Sequence, residues 1–177
     1  MPAQHRGVFL DRDGVLNQSY GSRPPNNVRE FALLPGVPEA IRQLNEAGFL
    51  VFVVTNQGGV GLGYMTKAEL EEIHGKLRDE VGSSGGYFTE IMSCTHKPRA
   101  GCSCRKPLPG MLTTLAAKYG VDLEASYMIG DRDVDIEAGQ AAGTTTILIA
   151  SDEKTNVEAD YVCSSLLEAS NLILRLG

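Results

Sequence analysis

The chain has 177 residues, 42% of them hydrophobic and 21% charged, which are ordinary proportions for one globular domain with a substantial core. Its net charge of −6 argues against a general nucleic-acid binder, which would carry a basic face. No apolar run approaches the ~20 residues that span a bilayer, and Met1-Pro2-Ala3-Gln4-His5-Arg6 lacks the apolar core of a signal peptide. A cytoplasmic protein is therefore expected, monomeric and without membrane or nucleic-acid partners.

Residues 8–10 read as a short buried strand that empties into Asp11-Arg12-Asp13-Gly14. Carboxylates at the carboxyl end of a buried strand sit where open α/β sheets place their ligands. Asp-Gly is also an ordinary turn dipeptide, so the rest of the chain must decide. Pro24-Pro25-Asn26-Asn27 marks a surface loop. Val37, Ala40, Ile41, Leu44 and Ala47 then share one helical face, with Gly48 placed to end the helix.

A second strand over 50–54 leads into Thr55-Asn56-Gln57-Gly58-Gly59-Val60-Gly61-Leu62-Gly63. These glycines do not fit G-x-G-x-x-G, and no P-loop Lys-Ser/Thr follows. A hydroxyl and flexible backbone at a strand end can hold one phosphate, although a plain glycine-rich loop remains open. Thr66-Lys67-Ala68-Glu69 has the form of a capping box, followed by Leu70, Ile73, Leu77 and Val81 on one stripe. His5 and His74 read as exposed or terminal bystanders.

A third strand over 88–93 ends in Cys94-Thr95-His96-Lys97-Pro98-Arg99-Ala100-Gly101-Cys102-Ser103-Cys104. Three thiols and an imidazole in one short loop make a ligand set for tetrahedral, structural zinc, with Cys94, His96, Cys102 and Cys104 as the ligands. A disulfide or a free buried cysteine is the weaker reading in a reducing compartment. Cys163 reads as a small core residue. Arg105-Lys106 follows directly, two cations placed to meet a phosphate. Pro109 opens a helix that Gly120 ends. A fourth strand over 127–129 runs into Gly130-Asp131-Arg132-Asp133-Val134-Asp135, where Asp133 reads as a helix N-cap and Asp131 and Asp135 face one pocket. Strands over 145–150 and 161–163 complete the set.

This alternation predicts an α/β fold: a doubly wound, mostly parallel sheet with helices on both faces, formed by a single domain over 1–177 with the zinc-binding loop 94–104 inserted. Asp11, Asp13, Asp131 and Asp135, gathered at one sheet edge, would repel one another without a cation. Oxygen ligands of this kind suit magnesium. The assembly reads as a phosphoryl-transfer site with a carboxylate nucleophile.

Asp11-x-Asp13-Gly14, Thr55-Asn56, Lys106 and Gly130-Asp131-x3-Asp135 resemble the four motifs of the haloacid dehalogenase (HAD) superfamily of phosphatases. With the Cys-x-His…Cys-x-Cys loop and Cys104-Arg105-Lys106-Pro107, the chain is similar to one subgroup over about residues 7–150. That subgroup comprises the D-glycero-D-manno-heptose-1,7-bisphosphate 7-phosphatases and the related histidinol-phosphatases. The resemblance implies a HAD-like fold with a minimal cap and the zinc loop as a wall. It implies that Asp11 attacks phosphorus, that Asp13 is the general acid and base, and that Thr55 and Lys106 bind the phosphoryl oxygens. Asp11, the Asp13 carbonyl and Asp131 would hold magnesium, with Asp135 behind them. Arg12, Asn56, Arg105 and Arg132 would contact substrate.

The expected substrate is a small phosphorylated metabolite, a heptose bisphosphate of a cell-surface sugar pathway or histidinol phosphate as the alternative. Arg23, Lys97 and Arg99, expected near the entrance, tilt the choice toward the bisphosphate. Leu62 before Gly63, where many heptose enzymes carry Arg, tilts it back. A receiver-type phosphorylation switch is the remote third reading. Such a switch would want Asp at the end of the third strand, where this chain has Ile91-Met92-Ser93-Cys94.

Overall fold

Six strands, β1 (Gly7–Leu10), β2 (Leu50–Asn56), β3 (Glu90–Cys94), β4 (Tyr127–Gly130), β5 (Thr145–Ile149) and β6 (Tyr161–Cys163), form one sheet in the order β3-β2-β1-β4-β5-β6. Every pairing is parallel. The computed structural model describes residues 4–21 and 23–177; the amino-terminal reading above falls partly on 1–3, outside the described residues. Among the described residues no helix is long and apolar enough to cross a membrane.

The helices are α1 (Val37–Glu46), α2 (Gly58–Gly61), α3 (Lys67–Gly82), α4 (Gly110–Tyr119), α5 (Asp133–Ala142) and α6 (Leu166–Leu176). They cover both faces of the sheet, which is why the central strands are apolar at successive positions instead of alternating. Because strand side chains alternate, Val8 and Leu10 enter one core with Val37, Ile41, Leu44, Ile73, Leu77 and Ile173. Phe9 enters the other core, with Phe52, Met111, Leu112, Leu115 and Met128. Phe9 stacks on Phe52 at 5.0 Å. Each such fully buried side chain stabilises the fold by roughly 1.5–3 kcal/mol against exposure.

Helix ends follow local chemistry. Thr66 Oγ1 accepts from Glu69 N at 3.1 Å and caps α3 as its sequence predicts. Gly48, with φ 89°, and Gly120, with φ 65°, take the left-handed conformation after α1 and α4. Two elements have no counterpart in the sequence reading. One is the short α2 inside the glycine-rich loop. The other is α6, capped by Ser165 through a 3.1 Å bond from Glu168 N and packed on α1, where Ser170 Oγ donates to Gln43 Oε1 at 3.1 Å.

The strand order fixes where the site lies. From β1 the chain builds outward through β2 and β3, then returns to the other side of β1 with β4. The carboxyl ends of β1 and β4 therefore flank the topological switch point, where open α/β sheets hold ligands.

Candidate active site

Asp11 is the first residue beyond β1 and Asp131 the first beyond β4. Leu10 and Ile129 are paired in the sheet, and Asp11 N donates to Ile129 O at 3.0 Å, so the two aspartates emerge side by side. Carboxylate oxygens of Asp11, Asp131 and Asp135 all lie within 4.8 Å of one another, and all three residues are buried. Two glycines make this approach possible. A Cβ on Gly14, which has φ +86°, would lie 2.1 Å from Asp131 Oδ2, and one on Gly130 would lie 2.1 Å from Asp135 Cβ.

Lys106 enters from the segment after the cysteine-rich loop and spends all three ammonium donors, on Asp11 Oδ1 (3.0 Å), Asp135 Oδ1 (2.6 Å) and Val54 O (2.8 Å). Asp135 Oδ2 accepts from Asp131 N and Arg132 N, at 3.2 and 3.1 Å, which ties the turn between β4 and α5 to the lysine. Burial would lower the Lys106 pKa, but the charges of Asp11 and Asp135 outweigh it and hold the pKa above its ordinary value. Burial, and then the charge of Asp135, push Asp11 well above the carboxylate range despite Lys106. The same two causes raise Asp131 to about 6. One ammonium cannot neutralise three buried carboxylates, and Asp131 Oδ1 is buried with no hydrogen-bond partner among the described residues. An orphaned carboxylate oxygen beside Asp11 fits a hard divalent cation.

Asp13 stands at the rim of this cluster, outside the trio. Its Oδ1 accepts from Arg12 Nε (3.0 Å), Arg12 Nη2 (2.8 Å) and Asn17 Nδ2 (2.9 Å), and its Oδ2 from Gln57 Nε2 (2.9 Å). Gln57 also donates to Thr55 Oγ1 at 2.8 Å. Thr55 is fully buried beneath the cavity. Asn56 commits its amide to the Lys106 backbone, accepting from Lys106 N at 3.0 Å and donating to Lys106 O at 3.1 Å. It thus positions the lysine.

A cavity of about 580 Å³ opens over Asp11 and Asp13, lined by Ser19, Pro24, residues 56–59, Leu62, Pro98, Arg105–Pro107, 132–135 and 153–155. Arg105 and Arg132 both line it, with Arg132 Nε 3.5 Å from Glu153. Pro98 places the cysteine-rich loop in the wall. In that loop the separations are 3.0 Å for Cys94–Cys104, 3.7 Å for Cys94–Cys102, 3.5 Å for Cys94–His96 and 3.3 Å for His96–Cys104, between Sγ and Nδ1 atoms. Four donors at about 2.0–2.3 Å from one centre form a tetrahedron with edges of roughly 3.3–3.8 Å. Three of the four separations lie in that range, so the cluster fits a tetrahedral metal.

Several sequence-based expectations need correction. Arg12 does not face substrate: it is fully buried, bonded to Asp13 and to His74 Nε2 at 3.1 Å. His74 is no bystander, being only 3% exposed. Asp133 is not the N-cap of α5, a position Arg132 holds; its carboxylate accepts from Asn156 N and Val157 N and so anchors the 151–157 loop. Arg23 is paired with Glu30 at 2.8 Å, Arg99 lines an adjoining cavity of about 270 Å³ that shares Arg105, Lys106 and Pro107 with the main one, and neither they nor Lys97 line the main cavity. The cations that do are Arg105, Lys106, Arg132 and Lys154. Gln57, Asn17 and Lys154 have no role in the sequence reading: Gln57 and Lys154 come from segments distant from Asp13, and Asn17, only four residues after it, is an amide whose residue type marks no chemistry.

A HAD-hydrolase-like family profile matches residues 103–169. The D-glycero-beta-D-manno-heptose-1,7-bisphosphate 7-phosphatase of Pseudomonas putida is 42% identical over 142 residues, 80% of this chain and 81% of that one. This chain belongs to the D-glycero-beta-D-manno-heptose-1,7-bisphosphate 7-phosphatase family. The family member from Bordetella bronchiseptica is 36% identical over 95% of this chain and 97% of its own. A crystal structure of D,D-heptose 1,7-bisphosphate phosphatase from B. bronchiseptica, complexed with magnesium and phosphate, matches with a TM-score of 0.91 at 35% identity, covering 97% of this chain and 99% of that one. The chain is a phosphatase on the HAD hydrolase fold.

Proposed function

We propose that this phosphatase removes the 7-phosphate of D-glycero-D-manno-heptose 1,7-bisphosphate by transient phosphorylation of Asp11, with magnesium at the carboxylate cluster and zinc in the cysteine-rich loop. The observation that carries this reading is the buried trio of Asp11, Asp131 and Asp135 at the switch point, clamped by Lys106 and left with an orphaned oxygen on Asp131. Support for the substrate comes from the family and from four cations around one cavity, which suit an ester with two phosphates.

Asp11 and Asp131, with the Asp13 carbonyl, would hold magnesium; once bound, the ion neutralises carboxylate and phosphoryl charge and makes phosphorus easier to attack. Lys106 fixes Asp11 through Oδ1, leaving Oδ2 as the attacking oxygen. Thr55, whose hydroxyl proton is unspent, and Lys106, on giving up one of its three protein partners, are the phosphoryl-oxygen donors. Asp13 protonates the leaving alkoxide and then takes a proton from the water that hydrolyses the aspartyl phosphate. Three donors converge on Asp13 Oδ1 and one on Oδ2, so Oδ2 is the oxygen with room for that proton. Arg105, Arg132 and Lys154 receive the rest of the substrate.

The chain acts, in this reading, as a cytoplasmic monomeric domain over 1–177 with no nucleic-acid or membrane partner. The test compares kcat/KM for heptose bisphosphate and histidinol phosphate with magnesium present. A preference of at least about 100-fold for the bisphosphate, roughly 2.7 kcal/mol, is expected. Equal efficiencies, or a preference for histidinol phosphate, reject the substrate assignment.

A further inference from the structure

Arg12 is the largest fully buried side chain of the protein, and a buried guanidinium is costly unless its donors are matched. Its Nε and Nη2 converge on one oxygen of Asp13. The remaining nitrogen, Nη1, points away from the site and meets His74 Nε2 at 3.1 Å, on the inward face of α3 among Leu70, Ile73 and Leu77. A guanidinium has only donors and stays charged, so the imidazole must supply the lone pair. His74 is therefore neutral, with its proton on Nδ1.

This geometry has a consequence for the reaction. Both donors of that edge meet a single oxygen, so a swing of the guanidinium about it moves the place that Asp13 Oδ1 is held in, and with it the direction of Oδ2. His74 is the group that pins the opposite edge. We propose that His74 is a positioning residue for the acid–base step: by fixing Arg12 from α3, it holds the Asp13 carboxylate with Oδ2 turned toward the leaving oxygen. The proposal rests on the assignment of Asp13 as general acid in the reading above. His74 touches neither substrate nor metal and lies outside the cavity lining.

Leaving-group chemistry separates this role from simple packing. An alkyl phosphate needs protonation of its leaving oxygen, whereas an aryl phosphate, which departs as a stable phenolate, needs little. The experiment measures kcat and KM of the full chain with magnesium on heptose bisphosphate and on p-nitrophenyl phosphate, for wild type, His74→Leu, His74→Phe, His74→Gln and Asp13→Asn. Leu and Phe both remove the acceptor, and whichever folds serves. Expected for it is a fall in kcat/KM, which reports departure of the leaving group and not hydrolysis of the intermediate that both esters share, of about 10-fold or more on the alkyl ester and of less than about 3-fold on the aryl ester; the losses compared below are losses in kcat/KM. His74→Gln, whose amide oxygen can accept from Nη1, should recover most of the alkyl rate. Equal losses on both esters, or a His74→Gln variant no better than His74→Leu, overturn the proposal. If Asp13→Asn itself shows no alkyl-selective loss, the acid assignment fails; if Asp13→Asn shows it and the His74 variants do not, only the positioning role fails.

Discussion

Lys106 concentrates the electrostatic problem of the site. Among the described residues its ammonium is the sole cation bonded to Asp11 and Asp135, both buried, so removing it leaves carboxylates without compensation. Breaking a buried charge pair from one side costs on the order of 3–5 kcal/mol. Lys106→Met should lose that much stability at pH 7 in denaturant titrations without added metal. The folded pKa of Asp11 is already raised and would rise further, so the variant gains stability as pH falls and its carboxylates take up protons. A variant as stable as wild type at pH 7 would show that the clamp is not needed. His74 makes a second pH prediction, of opposite sign. Burial, with the Arg12 and Arg78 charges, lowers it to about 3. The unfolded imidazole therefore binds a proton near pH 6.5 that the folded one refuses. Its contribution is intact above pH 6.5 and fades as pH falls toward 3, at about 1.4 kcal/mol per pH unit. His74→Gln should flatten that part of the stability profile. At this scale the sequence revealed the acids and Lys106 because their residue types and order carry the chemistry. Gln57 is illegible because its amide gains meaning only when the pairing of β1 with β2 brings it to Asp13, and Asn17, four residues from Asp13, because a loop amide carries no mark of what it will hold. The burial of His74 is legible in the sequence: four residues after Leu70 and three before Leu77, it falls on the apolar stripe of α3.

Each element carries its own part of the account. The cysteine-rich loop contains few apolar residues, and its wall at Pro98 depends on ligands holding it in shape. Cys102→Ala should release zinc and raise KM several-fold while lowering kcat less, because the loop shapes the cavity and the carboxylate trio stands apart from it. Metal analysis together with steady-state kinetics checks this; zinc-free wild-type protein, or an unchanged KM in the variant, contradicts it. All six strands were visible as short apolar runs, within a residue or two at their ends, since both faces of the sheet are covered. The 58–61 helix was not visible, because three of its four residues are glycine and it forms only against the cysteine-rich loop. There a Cβ on Gly61 would lie 2.7 Å from both Lys97 N and Thr95 O. By contrast, α6 announces itself with Ser165 and Glu168 in capping-box spacing and with Leu166, Ala169 and Ile173 on one face.

For the whole molecule, the strand order turns two remote sequence motifs into one site. Residues 11 and 131 meet because β1 pairs β4, and the cation they attract should then tie those segments together. A ligand that binds only the folded state stabilises it by about 2.7 kcal/mol at a concentration 100-fold above its dissociation constant. For a chain of this length that is a rise in melting temperature of roughly 5–10 °C. Saturating magnesium should produce such a rise in wild type and none in Asp131→Ala. The most direct test of the central claim is mass spectrometry of acid-quenched enzyme during turnover. The Asp13→Asn variant serves best, because it lacks the group that activates the hydrolytic water. The account predicts a phosphoryl group on the peptide carrying Asp11, and on no other, lost when Asp11→Asn is added. Turnover by Asp11→Asn at near the wild-type rate, or a phosphoryl group on a different residue, would contradict it.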